Sequence, residues 1–222
     1  MITPDQDPAE RAVGSPTGSR ARGSRGGFVS TRRAEILQVA GRCFAASGFA
    51  ATTVRDVAEA AGLTSGSLYH HFRSKEEMID EILRGFLADL VRDFELVRDS
   101  EPDPAAALGD LVRHAFQVIH DRPTDVVLFQ REGVVLAQRP GFDYLGEGTE
   151  KVERVWRQVV ESGQRRGVFR SDVDPKVAYR FIRDTVWASV RWYRGDGSMS
   201  PRELADQCLR VLLGGLLHES KY

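Results

Sequence analysis

The spacing of apolar residues constrains the fold of this chain more than any other sequence feature. From Ser30 onward, apolar residues recur at intervals of three and four, and Gly and Pro interrupt the pattern at short turns. This spacing is typical of amphipathic α-helices, whereas a half-buried β-strand would alternate apolar and polar residues. Neither an alternating stretch of any length nor an internal repeat occurs. The sequence therefore predicts an all-α fold.

Capping signals and interruptions predict the individual helices. Thr53-x-x-Asp56 and Ser74-x-x-Glu77 are capping boxes, in which two side chains at a helix N-terminus each accept a backbone hydrogen bond. The first helix ends at Ser47-Gly48. After it, helices are predicted at about 54–61, 65–72, 75–97, 105–121, 124–138, 149–166, 175–194 and 201–219.

Composition and hydropathy limit where the protein can reside. The chain has 222 residues, of which 41% are hydrophobic and 28% charged, as in ordinary globular proteins. The longest apolar run, Val211–Leu217, is far shorter than the roughly 20 residues of a membrane-spanning helix. The first residues lack the basic start and apolar core of a signal peptide. Cys43 and Cys208 lie in apolar helical patterns, which favours reduced thiols. We therefore expect a soluble, cytoplasmic protein without membrane contact.

Composition also divides the chain into three segments. Residues 1–29 are rich in Pro, Gly, Ser and Arg, and we expect them to form a disordered basic arm. Residues 30–75 and residues 76–222 are predicted to form two helical domains. The first 75 residues carry ten basic and six acidic side chains, although the whole chain has a net charge of -1. The excess of basic residues in this N-terminal part favours a polyanionic partner. The arm itself either reaches DNA or is a solvated tail.

Signatures of catalysis are missing from the sequence. It contains no Gly-x-Gly-x-x-Gly, no Gly-x-x-x-x-Gly-Lys-Ser/Thr and no Gly-x-Ser-x-Gly. The five His residues form no His-Glu-x-x-His, and the two Cys residues are not at zinc-ligand spacing. We therefore predict no catalytic residue, no metal site and no cofactor. Another possible class, distinct from enzymes, is an architectural DNA-binding protein that responds to no ligand. DNA binding with strong salt dependence and low sequence preference would indicate this class.

Three short helices within residues 30–75 predict a helix-turn-helix, whose third helix would lie in the DNA major groove. In residues 64–72, Leu68 and Phe72 are expected to face the core, so that Tyr69 and His70 point outward. Polar residues at the N-termini of the second, third and fourth helices are placed to meet phosphates. Each of these residues also has a purely structural explanation, as a helix cap, a cover over the core or plain surface.

The stretch Thr52–Met78, with its run Gly66-Ser-Leu-Tyr-His-His-Phe-Arg-Ser-Lys75, resembles the DNA-binding signature of TetR-family transcriptional repressors. The resemblance extends without a gap over about residues 32–83. It implies an all-helical homodimer with an N-terminal helix-turn-helix domain, which binds double-stranded operator DNA, and a C-terminal domain for ligand binding and dimerisation. The DNA contacts that it implies are Thr53, Thr64, Ser65, Gly66, Ser67, Tyr69, His70 and Lys75.

Residues 179–194 are similar to the penultimate helix of repressors in an actinobacterial branch of this family. Repressors of this branch control the breakdown of the last two steroid rings of cholesterol. The similarity implies an effector that is a CoA thioester of a bicyclic methylhexahydroindanedione propionate, contacted by Arg183 and Trp187. With Arg191 these residues are spaced by four and share one helix face, where Arg can hold phosphates and Trp can pack against a flat group. Periodicity alone favours a surface helix without ligand. A regulator of fatty-acid or efflux genes that responds to another apolar ligand is the alternative.

The last predicted helix has a broad apolar face, which indicates dimerisation through a four-helix interface with residues 175–194. An ordinary core helix would show the same face. In such a dimer, an effector is expected to tilt the long helix 75–97 and misalign one DNA-binding head. Phe129, Phe142 and Tyr144 are candidate cavity residues, whereas Phe181 and Ala188 are expected on other faces of their helix. The residues of the apolar face are Leu204, Cys208, Val211, Leu212, Gly215 and Leu216.

Overall fold

The structure is a computed structural model that describes the backbone of residues 25–214 and the side chains of residues 31–214. Within this range the protein is all-α, as predicted, and a single 3-10 turn, Ser189–Arg191, follows the eighth helix. The helices are α1 (Arg25–Ser47), α2 (Val54–Ala60), α3 (Ser65–Tyr69), α4 (Lys75–Ser100), α5 (Pro104–Asp121), α6 (Pro123–Leu136), α7 (Asp143–Arg165), α8 (Pro175–Ala188) and α9 (Pro201–Gly214).

Three predicted boundaries differ from the structure. α1 begins at Arg25, so the last residues of the expected arm are helical, while residues 1–24 lie outside the described part. α7 begins six residues before the predicted position 149, because packing against α4 overrides the low helix propensity of Gly146 and Gly148. α8 ends at Ala188 rather than at 194, because the Ser189 hydroxyl donates to the Val186 carbonyl at 2.6 Å and the chain tightens into the 3-10 turn.

Helices α1, α2 and α3 form the helix-turn-helix unit around a small apolar core. Phe44, Val57 and Leu68 are completely buried, and Phe72 is 1% exposed, so the predicted inward face of α3 is confirmed. The edge of the Phe49 ring packs against Phe44 with ring centroids 5.4 Å apart. These contacts fix the orientation of α3 relative to α1 and therefore the orientation of its outward face.

The 26-residue α4 connects this unit to the C-terminal helices. Its apolar stripe continues from the core of the helix-turn-helix unit, at Met78 and Ile79, into the core of the C-terminal domain, at Phe94. α4 packs most closely on α7, where a Cβ added at Gly148 would lie 2.3 Å from a methyl group of Leu87. α5 lies between α7 and α9, and α6 packs against α1. No helix in the described part of the chain is long and apolar enough to cross a bilayer.

Candidate functional site

The N-termini of α2 and α3 carry the polar residues expected at DNA. The Thr53 hydroxyl accepts from the Asp56 N–H at 3.2 Å, and the Asp56 carboxylate accepts from the Thr53 N–H at 2.8 Å, which confirms the first capping box. The Thr64 hydroxyl accepts from the Ser67 N–H at 3.2 Å and lies 3.0 Å from the Ser67 hydroxyl. These groups therefore stabilise helix ends, and their predicted contacts with phosphates stay predictions.

The second capping box is only half formed. The Ser74 hydroxyl accepts from the Glu77 N–H at 3.1 Å, as predicted. The Glu77 carboxylate, however, accepts from the Arg73 N–H at 2.7 Å instead of the Ser74 N–H. This bond, followed by the interactions with Arg33, lowers the pKa of Glu77.

The outward face of α3 is open to solvent. Tyr69 is 55% exposed and His70 is exposed, while Ser65 is half-buried. Gly66 is exposed, and a Cβ at this position would meet no atom closer than the Thr64 hydroxyl at 4.0 Å. The face is thus available for a partner over its whole length, as a helix that enters the major groove requires.

Lys75 has a role that the sequence did not indicate. Its Nζ donates to the carbonyl oxygens of Phe49, Ala50 and Thr52, at 2.8, 3.1 and 2.9 Å, and lies 4.7 Å from the centre of the Phe49 ring. The ammonium group thereby fastens the turn between α1 and α2 to the start of α4. Its predicted phosphate contact stays a prediction, since these three acceptors occupy the donors in this geometry.

Arg33 forms a second clamp that sequence reasoning missed. Its Nε donates to the Glu81 carboxylate at 3.1 Å, and one Nη contacts Glu77 at 3.1 Å. Its other Nη donates to the His71 carbonyl, and its guanidinium lies 3.9 Å from the centre of the Phe72 ring. The hydrogen bonds to Glu81 are the largest cause of the raised pKa of Arg33. This residue joins α1 both to the turn before α4 and to the first two turns of α4 itself.

A cavity of about 760 Å³ lies between α4, α6, α7 and α8. The residues predicted to bind the ligand all line it: Arg183 and Trp187, implied by the family similarity, and Arg191, added from helix spacing. Phe129 lines it as well, and so does Ala188, which was expected on another face of α8. The remaining wall is largely apolar and includes Phe86, Leu90, Val126, Leu145, Val152 and Tyr179.

Two other cavity candidates are not part of the lining. The Tyr144 hydroxyl donates to the Asp80 carbonyl at 3.3 Å, and the Arg84 guanidinium lies 3.8 Å from the centre of the Tyr144 ring. Burial, more than any other cause, raises the pKa of Tyr144. Phe142 stacks on this ring with centroids 6.2 Å apart. Both aromatic residues therefore attach the start of α7 to α4 below the cavity.

The polar groups of the cavity lie mainly on α8. The Arg183 Nε donates to the adjacent Asp184 carboxylate at 2.8 Å. The Gln130 amide of α6 donates to the Trp187 carbonyl at 2.9 Å, at the point where α8 ends. Burial raises the pKa of Tyr179 to about 12, against the opposing charge of Arg183. The α8 wall thus combines cationic, anionic, aromatic and hydroxyl groups, while the other walls are largely apolar apart from Gln130 of α6 and Thr149 of α7.

α8 and α9 each expose large apolar side chains among polar ones. Phe181 is 70% exposed and Val211 is 51% exposed. Leu204 is instead buried, and Cys208 and Leu212 are partly buried, so that part of the predicted face packs on the C-terminal core. Gly215 and Leu216, which were predicted on the same face, lie outside the described residues.

α6 lines the cavity and also contacts the DNA-binding unit. The Glu132 carboxylate accepts from the Phe49 N–H at 3.2 Å, and the Arg131 guanidinium donates to the Ala45 carbonyl at 3.4 Å. The next residue along α6, Gly133, lines the cavity. Residues 31–214 contain no group of three or more His, Cys, Asp or Glu side chains that could hold a metal ion.

Comparison with known families and proteins identifies both halves of the chain. Residues 36–82 match the model of bacterial regulatory proteins of the tetR family, and residues 101–216 match the tetracyclin repressor-like C-terminal domain. The HTH-type transcriptional repressor KstR2 of Mycobacterium tuberculosis is 44% identical over 193 residues, which cover 87% of this chain and 96% of KstR2. KstR2 of Rhodococcus jostii is 46% identical over 187 residues, which cover 84% of this chain and 92% of that protein.

The chain belongs to the TetR family. The solved structure of the ketosteroid transcriptional regulator KstR2 of Mycobacterium tuberculosis superposes with a TM-score of 0.80 at 44% identity, over 85% of this chain and 96% of that one. AibR, solved with isovaleryl coenzyme A and operator DNA, gives a TM-score of 0.72 at 20% identity, over 81% of this chain and 97% of that one, a likeness of fold alone. This TetR-family protein is a DNA-binding transcriptional repressor and not an enzyme, as predicted.

Proposed function

We propose that this TetR-family repressor controls genes of steroid ring catabolism and leaves its operator when a CoA thioester of a bicyclic, ring-derived acid binds in the cavity. The observation that carries the proposal is the position of Arg183, Trp187 and Arg191 along one wall of an apolar cavity of about 760 Å³. The function that the KstR2 relatives carry in their name, ketosteroid regulation, supports the same conclusion.

The cavity suits an amphipathic ligand with one apolar and one anionic end. Phe86, Leu90 and Phe129 offer a surface for a compact ring system, which gains free energy by leaving water. Arg183 of α8 and Arg191 of the 3-10 turn supply positive charge, and a guanidinium binds phosphate through paired N–H groups. The Nε of Arg183 already donates to Asp184, so its Nη groups are the ones left to bind the ligand. In sequence, Trp187 lies between these two arginines. Its ring offers a flat face for the part of the ligand that joins the apolar end to the anionic end.

The release step needs a structural link from the cavity to the DNA-binding unit. α4 begins at the DNA-binding unit with Lys75, and further along it lines the cavity with Phe86 and Leu90. In a homodimer, the two α3 helices would lie about 34–36 Å apart, one DNA turn, so that each meets a half-site of a palindromic operator. An effector that binds one spacing of the heads better than the other shifts the population toward that spacing. The exposed apolar side chains of α8 and α9 support the dimer. A repressor that binds operator DNA is expected in the cytoplasm.

Fluorescence anisotropy on the upstream promoter DNA tests this proposal. The protein is titrated with the bicyclic ring-derived CoA thioester, with free CoA and with a long-chain acyl-CoA. We expect release by the ring thioester alone, and loss of this response in Arg183→Ala and in Trp187→Ala. Arg154→Ala is the matched control, because Arg154 is exposed on α7 and does not line the cavity.

The outcomes separate the rival functions. Release by the long-chain acyl-CoA instead of the ring thioester would indicate a regulator of fatty-acid genes, which the largely apolar wall also suits. Unchanged operator affinity with every thioester would remove the CoA effector from the proposal. If Arg183→Ala responds like the unmodified protein, the α8 stripe does not bind the effector.

A further inference from the structure

Tyr179 is a polar residue of the cavity that the proposed function leaves without a role. Its side chain lines the cavity, yet the residue is only 3% exposed. A buried phenol normally has a hydrogen-bond partner, because an unmade hydrogen bond in a desolvated site costs free energy. The Tyr179 hydroxyl is not among the fully buried unpaired atoms of the described residues, so it stays accessible and can donate to an acceptor on a ligand.

The hydroxyl has a hydrogen-bond donor beside it, while the carboxylates of Glu153 and Asp184 act on it only through their charge. The Arg183 guanidinium is its polar neighbour, with Cζ at 5.6 Å from the centre of the Tyr179 ring. Arginine can only donate hydrogen bonds. On the other side the ring meets Trp156, with centroids 6.4 Å apart. Within the described residues, no carbonyl or carboxylate oxygen accepts from the Tyr179 hydroxyl.

The order of residues along α8 indicates which part of the ligand lies at Tyr179. Tyr179, Arg183 and Trp187 follow one another at intervals of one helical turn, and Arg191 follows in the 3-10 turn. A helical rise of about 1.5 Å per residue places Tyr179 and Arg191 roughly 18 Å apart. If Arg191 holds the phosphates, the acyl group lies at the opposite end of this row, near Tyr179. The buried side chains of Leu145 and Val152 also line the cavity.

We propose that the Tyr179 hydroxyl donates a hydrogen bond to a carbonyl oxygen on the acyl group of the effector, so that the cavity selects oxygenated ring acids over hydrocarbon ones. This inference rests on the proposed function for the identity of the ligand. The high pKa of Tyr179 keeps the phenol protonated and able to donate at neutral pH. A site built to hydrogen-bond a substrate oxygen rejects the analogue that lacks this oxygen.

Calorimetric titration of the full-length protein with two matched ligands tests the selectivity. The first is the bicyclic diketone propionyl-CoA, and the second is the same thioester with both ring ketones replaced by methylene groups. We expect the diketone to bind about tenfold more tightly, the effect of one net hydrogen bond. In Tyr179→Phe the preference should fall below about twofold, while the affinity for the methylene thioester stays unchanged.

Tyr193→Phe is the matched control, because the Tyr193 hydroxyl lies 3.1 Å from the His120 ring outside the cavity lining. This variant should keep the tenfold preference. Equal weakening of both thioesters in Tyr179→Phe would show a packing role and overturn the proposal. A preference that survives Tyr179→Phe, or none in the unmodified protein, would overturn it as well.

A failure of the proposed function remains distinguishable from a failure of this inference. If neither thioester binds, the CoA effector is wrong, and the free diketone acid and its methylene analogue are titrated in the same way. A diketone preference that Tyr179→Phe removes would then still support the hydrogen bond. If the two free acids bind equally or do not bind, the inference falls with the proposed function.

Discussion

The close contact between α4 and α7 leads to a quantitative prediction about Gly148. A Cβ added at this position would lie 2.3 Å from Cδ2 and 2.7 Å from Cγ of Leu87, a side chain that is 3% exposed. No real Cβ contact is this short, so Gly148→Ala must displace Leu87 or separate the helices. Overpacking of this kind costs about 1–3 kcal/mol. Replacing a helical Gly by Ala also contributes about 1 kcal/mol of stability, which offsets part of the loss.

Gly146→Ala isolates the packing cost from the helix propensity. Gly146 lies two residues earlier on α7, and a Cβ there would meet no atom within 4 Å. It should stabilise the protein by about 1 kcal/mol. The free energies of unfolding of the two variants, measured in urea at one protomer concentration, should differ by about 1–3 kcal/mol. Equal stabilisation of both variants would refute the assigned packing of α4 on α7.

Three further predictions concern the DNA-binding unit. Lys75→Met should lower the free energy of unfolding by about 1–3 kcal/mol, because three backbone carbonyls lose their donor; a pure phosphate contact would leave stability unchanged and reduce only the salt dependence of DNA binding. Glu132→Ala should cost about 1–3 kcal/mol in urea denaturation, since it leaves the buried Phe49 N–H without an acceptor, whereas Glu132→Gln keeps an acceptor and should cost less. The bond from the Arg73 N–H lowers the pKa of Glu77 below 4.5, so its ionised form stabilises the fold above this pH. That stability should disappear as the pH falls through the lower folded pKa, and Glu77→Gln should flatten the pH dependence of unfolding in this acidic range.

Local sequence signals were sufficient where a structure depends on neighbouring residues. The helices and the Thr53 cap follow from spacing and short-range hydrogen bonds, and the structure confirms them. The family similarity implied the ligand contacts of Arg183 and Trp187, and helical periodicity added Arg191, because residues four apart lie on one face. Periodicity alone favoured a surface helix without ligand, and it placed Ala188 on another face although this residue lines the cavity.

Contacts between distant segments were beyond sequence reasoning. Lys75 donates to carbonyls 23 to 26 residues earlier, and the partners of Arg33 lie 38 to 48 residues later. The same limit explains the late start predicted for α7, since only the position of Leu87 shows why Gly148 belongs inside a helix. The sequence could not show that Phe129 lines the cavity whereas Phe142 and Tyr144 do not. The identity of an aromatic residue does not indicate which distant helix it packs against.

Two helices that line the cavity are fastened to α1 of the DNA-binding unit at two separate points. α4 is joined through Glu77 and Glu81 to Arg33 near the start of the helix, and α6 is joined through Arg131 to Ala45 near its end. These attachment points are 12 residues apart, or roughly 18 Å along the axis. Because protein cores are close-packed, we expect a ligand that changes the separation of α4 and α6 to displace these two points of α1 unequally. On the proposed function, unequal displacement would rotate the helix-turn-helix unit, and the rotation would change the angle at which α3 meets the groove as well as the spacing of the two heads.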